Sequence, residues 1–299
     1  MKRNLILVSI FSLFPLFVYS QSSVDAGDII EKINKGVEVH YENITITGKL
    51  DFTAIEDVTE DKDKPWSGFP RLYICHVRIL VKFHNCLFKD DVMGHISKRK
   101  EEMYKTVFYD EVVFDSCQFG GEFSFRHSDF KKRVSFKNTV FDDSVVFRHV
   151  SFDGSAVFTG SSFNDDMDFR HTDFNGDACF EESLFEHDAD FRHTHFCGKI
   201  EFDKSVFNKT ADFGHTEFPI CPDFSDVSFF GRADFKHANF KKGVDFNKAV
   251  FNSLADFGYT HFEEPVNFDE VKFNDDLDFC HSTLGSTSIL KYLFNKKKK

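Results

Sequence analysis

Asp168-Phe169-Arg170-His171-Thr172-Asp173-Phe174 is a phrase that most of the chain repeats with small changes. Arg-His follows phenylalanine at 148–149, 170–171 and 192–193, and the frame around it returns every 22 residues from about residue 103 to the end. Inside each 22 the phenylalanines are spaced alternately by 5 and 6: Phe147, Phe152, Phe158, Phe163, then Phe169, Phe174, Phe180, Phe185. With 42 Phe against one Trp in 299 residues, the repeat must be read before anything else.

Taking each Phe as the inward centre of a short strand, the residue two before it also points inward, because side chains alternate in extended chain. That position is apolar before the Phe that closes a 6-gap (Ala156, Met167, Ala178) and small before the other (Ser161, Thr172, Ser183). Between them the residue is polar and often acidic, as at Asp168, Asp190, Asp212, Asp234, Asp256 and Asp278. A helix would repeat about every 3.6 residues, and an ordinary strand would alternate without the longer return. A chain that turns after every 5 or 6 residues closes a square in 22 and lays like on like, about 4.8 Å apart along a β-ladder. Burying each Phe contributes roughly 1.5–3 kcal/mol, and about thirty of them offset the ordering entropy of a thin core.

The units Ala189-Asp190-Phe191-Arg192-His193, Ala211-Asp212-Phe213-Gly214-His215 and Ala233-Asp234-Phe235-Lys236-His237 resemble the pentapeptide-repeat family. The resemblance covers 72–284 strongly and 37–52 more weakly. It implies an all-β protein, a right-handed quadrilateral parallel β-helix. The sequence departs from the family by one extra residue at every second corner, expected to loosen two of the four corners, and by Phe in place of Leu.

The flanks differ from the repeat. Residues 1–20 have the form of an export signal: Lys2 and Arg3, an apolar run from Leu5 to Val18, then Ser20. Asp25 to Lys35 reads as a capping helix within 21–36, with Asp25 as N-cap, Ile29, Ile30 and Ile33 on one face and Gly36 at its end. The β-helix spans 37–284, interrupted at 53–70 and 89–102. The rhythm resumes after these at Leu72 and Met103. Both interruptions fall between the third face of one coil and the first of the next, so they are expected near each other on one edge. Residues 285–299 (Ile289, Leu290, Leu293, Phe294, then lysines) form a C-terminal cap and basic tail.

The candidate chemistry is columnar. His127, His149, His171, His193, His215, His237 and His281 recur at one corner, broken by Tyr259. A metal reading would use His149, His171, His193, His215 and His237; the structural reading is a stack of corner rings, mostly neutral at pH 7. No Glu or Cys recurs with them to complete a tetrahedral site. The Asp column beside them alternates with Arg126, Arg148, Arg170, Arg192 and Lys236 and reads as a solvated charge ladder. Of seven Cys, Cys75, Cys86 and Cys117 fall at inward positions, and Cys86 and Cys117 fall on one face of adjacent coils. Core thiols are favoured there over a disulfide. Cys179, Cys197 and Cys280 face out and Cys221 lies at a corner. Asn43-Ile44-Thr45 and Asn208-Lys209-Thr210 match the glycosylation triplet.

No phosphate loop, nucleophile elbow or HExxH motif is present, and the run from 125 to 284 is too uniform to form a catalytic pocket, which leaves the first two coils and their loops as the candidates for one. The expectation is a non-enzymatic scaffold without cofactor, exported to a periplasm or beyond. It would present a surface to a macromolecule, in the first place a protein. The expected contact residues are Trp66, Phe69, Lys98 and Arg99 on the interrupted edge. Nucleic acid is not expected at a net charge of −12, and removing Lys2 and Arg3 takes it to −14. No segment stays in the bilayer once the signal is cut, and end-to-end pairing of two rods is left open. The resemblance adds an alternative, since some family members are acidic rods that imitate duplex DNA and bind type II topoisomerases. The export signal and the recurring Arg-His argue against it.

Overall fold

The computed structural model describes residues 22–62, 71–98 and 101–291. Over these the chain winds as a four-walled parallel β-helix. One coil visits the first wall at Val134–Ser135, the second at Val140–Phe141, the third at Val145–Val146 and the fourth at Ser151–Phe152. Each strand pairs in parallel with its equivalent one coil away, as in Val145 with Met167 and Ser151 with Asp173. The quadrilateral all-β architecture read from the 22-residue period is the observed one.

The core is a ladder of rings. Phe147, Phe169 and Phe191 are fully buried, with centroids 4.9 Å and 5.4 Å apart along the axis. Rings from neighbouring walls meet edge to face, as Phe169 and Phe180 do at 5.8 Å and 84°. Offset stacks and edge contacts are the arrangements that the aromatic quadrupole favours. The small residues beside the Phe have a polar task as well. Thr172 Oγ1 donates to the Phe147 carbonyl (2.7 Å), Thr194 to Phe169 (2.9 Å) and Thr216 to Phe191 (2.8 Å), all fully buried. Ser or Thr there satisfies a carbonyl that apolar surroundings would otherwise leave with one partner.

The corners come in two kinds. At the 5-residue corners a β-turn closes through its own amide, as Val150 N–H donates to the Phe147 carbonyl at 3.0 Å. The third residue of this turn is left-handed, with φ 59° at His149, a conformation that Gly and Asn accept most easily. The 6-residue corners hold the extra residue. Where the fourth wall leads into the first, Gly154, Gly176 and Gly198 stack so closely that a Cβ on Gly176 would lie 2.5 Å from the Gly154 backbone. At this corner the extra residue comes with close packing in place of the expected loosening, because absent side chains let successive backbones touch.

The interruptions also need correcting at their edges. Val92–Met93 is a third-wall strand paired with Leu50–Asp51 and Phe123–Ser124, so residues 89–94 belong to the coil. The expected Phe at 94 is a Gly, and its space is taken by the Phe125 ring, 2.4 Å from where a Cβ would be. Both excursions leave the helix at the corner between the third and fourth walls, after Phe52 and after Gly94, and rejoin it at Val77 and Phe108. Val58–Asp61 pairs antiparallel with Arg71–Val77, which pairs in parallel with Glu102–Phe108, which pairs antiparallel with His95–Lys98. The product is a four-stranded ribbon standing off one corner. Leu72 and Met103 face each other within it, one turn short of the coil.

Helix α1 (Ala26–Asn34) closes the first coil: Asp25 caps it by accepting from Gly27 N–H at 2.8 Å, and Ile29 and Ile33 are buried. At the other end Thr287–Ser288 folds back antiparallel onto Thr283–Leu284 and buries Ile289, whereas Leu277 and Leu290 are exposed. Leu293, Phe294 and the signal-like residues 1–20 lie outside the described residues. No helix among the described residues is long and apolar enough to cross a membrane.

Candidate functional site: the third-to-fourth corner

The corner from which the ribbon springs is also the corner of the histidine column. The turn geometry explains how the rings line up but not why they are histidines. His127, His149, His171, His193, His215, His237 and His281 all have φ between 56° and 60°. The diagonally opposite corner has the same backbone, and there Asn138, Gly160, Glu182, Lys204, Asp226 and Lys248 fill it. One molecule thus supplies its own control: the left-handed turn accepts many residues, so the recurrence of His is a property of the side chain. The rings stack face to face, His127 on His149 at 4.8 Å and 4°, and His149 on His171 at 4.8 Å and 9°. Tyr259 continues the stack, 5.0 Å from His237 and 4.7 Å from His281.

The ribbon adds a member that periodicity did not reveal. His95 lies against His127, centroids 5.5 Å apart. Burial, with the Arg126 charge behind it, pushes His95 down to about 4. Burial also pushes His127 down to about 4, helped by His149, His95, Arg126 and Lys105. His149, His193 and His215 are lowered too, first by burial and then by neighbouring imidazoles. A proton placed on one ring opposes a proton on the next.

Beside the histidines runs the Asp column. Each carboxylate accepts the amide two residues on, as Asp168 does from Arg170 N–H (3.0 Å) and Asp212 from Gly214 N–H (2.9 Å). These bonds fix the entry to the turn. Arg170 spans its own Asp168 (2.6 Å) and Asp190 of the next coil (3.3 Å), and Arg192 repeats this with Asp190 and Asp212. At Asp168 burial acts upward, but the bonds from Arg170 outweigh it and the carboxyl ends below its ordinary value. Asp212, with Gly214 in place of an arginine, is raised by burial and by the charges of Asp234 and Asp190.

Of the expected contact residues, Lys98 ends the ribbon strand His95–Lys98 and places its ammonium 4.3 Å from the Tyr104 ring. Trp66, Phe69 and Arg99 lie outside the described residues. Tyr73 and Tyr104, which the sequence reading passed over, stack at 4.7 Å across the parallel strands. At the ribbon's base His76 is bonded by Thr59 Oγ1 (2.8 Å) and the Tyr109 hydroxyl (2.9 Å), and Arg78 sits over Tyr109 while pairing with Asp57. The alternation Leu72-Tyr73-Ile74-Cys75-His76-Val77 was the available signal for this strand.

Parallel stacked imidazoles aim their lone pairs in one direction, not at a common ion. Among the described residues the group able to converge on a cation is Asp165, Asp166 and His187, on the second-to-third corner and away from the column. His187 Nδ1 lies 3.9 Å from both carboxylates, with Asp166 and His187 exposed and Asp165 half-buried. Cys75, Cys86 and Cys117 are buried free thiols, Cys86 and Cys117 being neighbours in the core, while Cys197 and Cys280 are exposed.

Walls made of two-residue strands, turned every five or six residues and filled by one ring type, define a structural repeat scaffold. The family model for pentapeptide repeats, nine copies long, matches residues 104–151, 147–195 and 235–283, and these coils belong to that family. No curated protein and no solved structure matches it.

Proposed function

We propose that this protein is an exported, non-catalytic rod that presents the ribbon at its N-terminal third to a macromolecular partner, in the first place a protein. One observation carries the reading: two excursions separated by a full coil leave at the same corner and join into one sheet. A regular solenoid needs neither of them for its core. The sheet offers a stacked Tyr73–Tyr104 pair with Lys98 over it, and tyrosine is among the residues that interfaces enrich. Its outer strand Val58–Asp61 pairs on one side, with Arg71–Val77, among the described residues. Export rests on the charge and apolar pattern of residues 1–20.

The test replaces residues 53–76 and 95–107 each by the four-residue turn found at 126–129, which keeps every coil. Intact and ribbonless proteins are then compared for partners captured from the compartment in which the intact protein is found. Partners lost with the ribbon support the reading, and identical partners for both remove it. Detection of the protein inside the cell with residues 1–20 uncut would remove export and favour the DNA-imitating alternative.

A further inference from the structure

The Arg–Asp ladder is not uniform along the corner. Arg170 and Arg192 each use a carboxylate in their own coil and one in the next. For Arg126 the equivalent positions are Ser124 and Val146, and for Arg148 they are Val146 and Asp168. Asp168 pairs with Arg170 at 2.6 Å and feels the charge of Arg148 without forming an ion pair with it. Neither Arg126 nor Arg148 makes an ion pair among the described residues, and the buried Arg148 Nε has no hydrogen-bond partner there. His95 Nε2, on the ribbon strand beside Arg126 and His127, is buried and unpartnered in the same way. The one carboxylate on the adjoining wall at this level, Asp129, is held by Lys105 at 2.7 Å. At this corner of an acidic rod two successive coils therefore carry arginines without an ion-pair partner among the described residues, on a rigid wall, where the own-coil carboxylate used further along is replaced by Ser124 and Val146.

We propose that Arg126 and Arg148 hold an external oxyanion, a sulfate or phosphate group, at the ribbon end of the histidine column. Guanidinium forks one coil apart suit tetrahedral oxyanions, which accept bidentate charge-assisted bonds. The rings of His127 and His149 border the place. The anion is either free or a substituent on a polymer, and the two sources share this chemistry. The inference stands apart from the ribbon's partner and from export.

The test uses the full folded chain titrated with sodium sulfate, sodium phosphate and dextran sulfate. The readouts are the ring proton signals of His127 and His149 and the melting temperature, against sodium chloride at equal ionic strength. Saturable shifts, a raised His127 titration midpoint and a higher melting temperature are expected with sulfate or phosphate. Affinity should fall roughly tenfold for each of Arg126→Gln and Arg148→Gln, and less for the corresponding Lys variants. Dextran sulfate binding more tightly than sulfate through the same two arginines assigns a polymer-borne group, and equal affinity per sulfate assigns the free ion. Arg232→Gln, on a paired arginine outside the site, should bind as the wild type does. Equal shifts in chloride, or unchanged affinity in the folded double variant, would overturn the proposal.

Discussion

The imidazoles of His171 and His193 lie face to face, centroids 4.8 Å apart and planes at 0° to each other. They are held so by a backbone conformation that side chains rarely adopt, with φ 56° and 57°. Ring and backbone make separate contributions, and substitution can divide them.

His171→Asn should fold with little loss, because Asn accepts the left-handed region. His171→Val should lose about 1–2 kcal/mol, because a β-branched residue there is strained. Denaturant midpoints of the two variants check this, and equal losses would assign the whole effect to ring stacking.

Acid should weaken the ribbon end of the corner. His95 and His127 are pushed down to about 4 from 6.5, so between these values the unfolded chain binds more protons than the folded one. Stability from this source is complete above about pH 6.5, falls as the pH drops, and changes no further below about pH 4. The groups facing these rings are Arg126, Lys105 and His149, all of which oppose protonation. The His95→Asn/His127→Asn double variant should lose less between pH 7 and pH 4.5 than the wild type does in urea unfolding. Parallel curves for the two would refute the assignment.

Removing a core ring should cost more than any surface change. Phe169→Ala opens a cavity between Phe147 and Phe191 and is expected to lose about 3–5 kcal/mol. A midpoint shift as small as that of an exposed substitution such as Lys209→Ala would contradict the ring ladder.

The buried hydroxyls should be worth about 1 kcal/mol each. Thr194→Val keeps the volume but deprives the Phe169 carbonyl of its second donor, while Thr194→Ser keeps the bond. Thermal unfolding should rank wild type and Ser above Val; Val equal to wild type would show that the bond adds nothing net.

The repeat was legible because Phe recurs with a period that only a square coil satisfies, and the histidine column came with it. What stayed hidden was whatever falls out of register or looks like its opposite. His95 joins the stack through the ribbon, at a position that no 22-residue count reaches. Gly94 breaks the Phe pattern on paper yet keeps the coil in space, so the second interruption begins after Gly94 and not at residue 89. Thr172 and Thr194 read as merely small, since a sequence does not show which carbonyl a hydroxyl will meet. The pairing of the two excursions into one sheet was legible only as proximity, because strand partners in a hairpin that crosses coils depend on the coil geometry itself.

Gly94 and Phe125 bear on a hazard peculiar to chains of near-identical units. Successive coils are alike enough to mate one step out of phase with small loss of contact, and such mistakes trap repeat proteins during folding. Phe125 enters the space over Gly94, whereas a slipped neighbour would offer it an occupied seat: Phe52 below or Phe147 above takes the equivalent place. A missing ring thus works as a keyway, setting from the N-terminal side which coil follows which, and every later column inherits its alignment from that single notch.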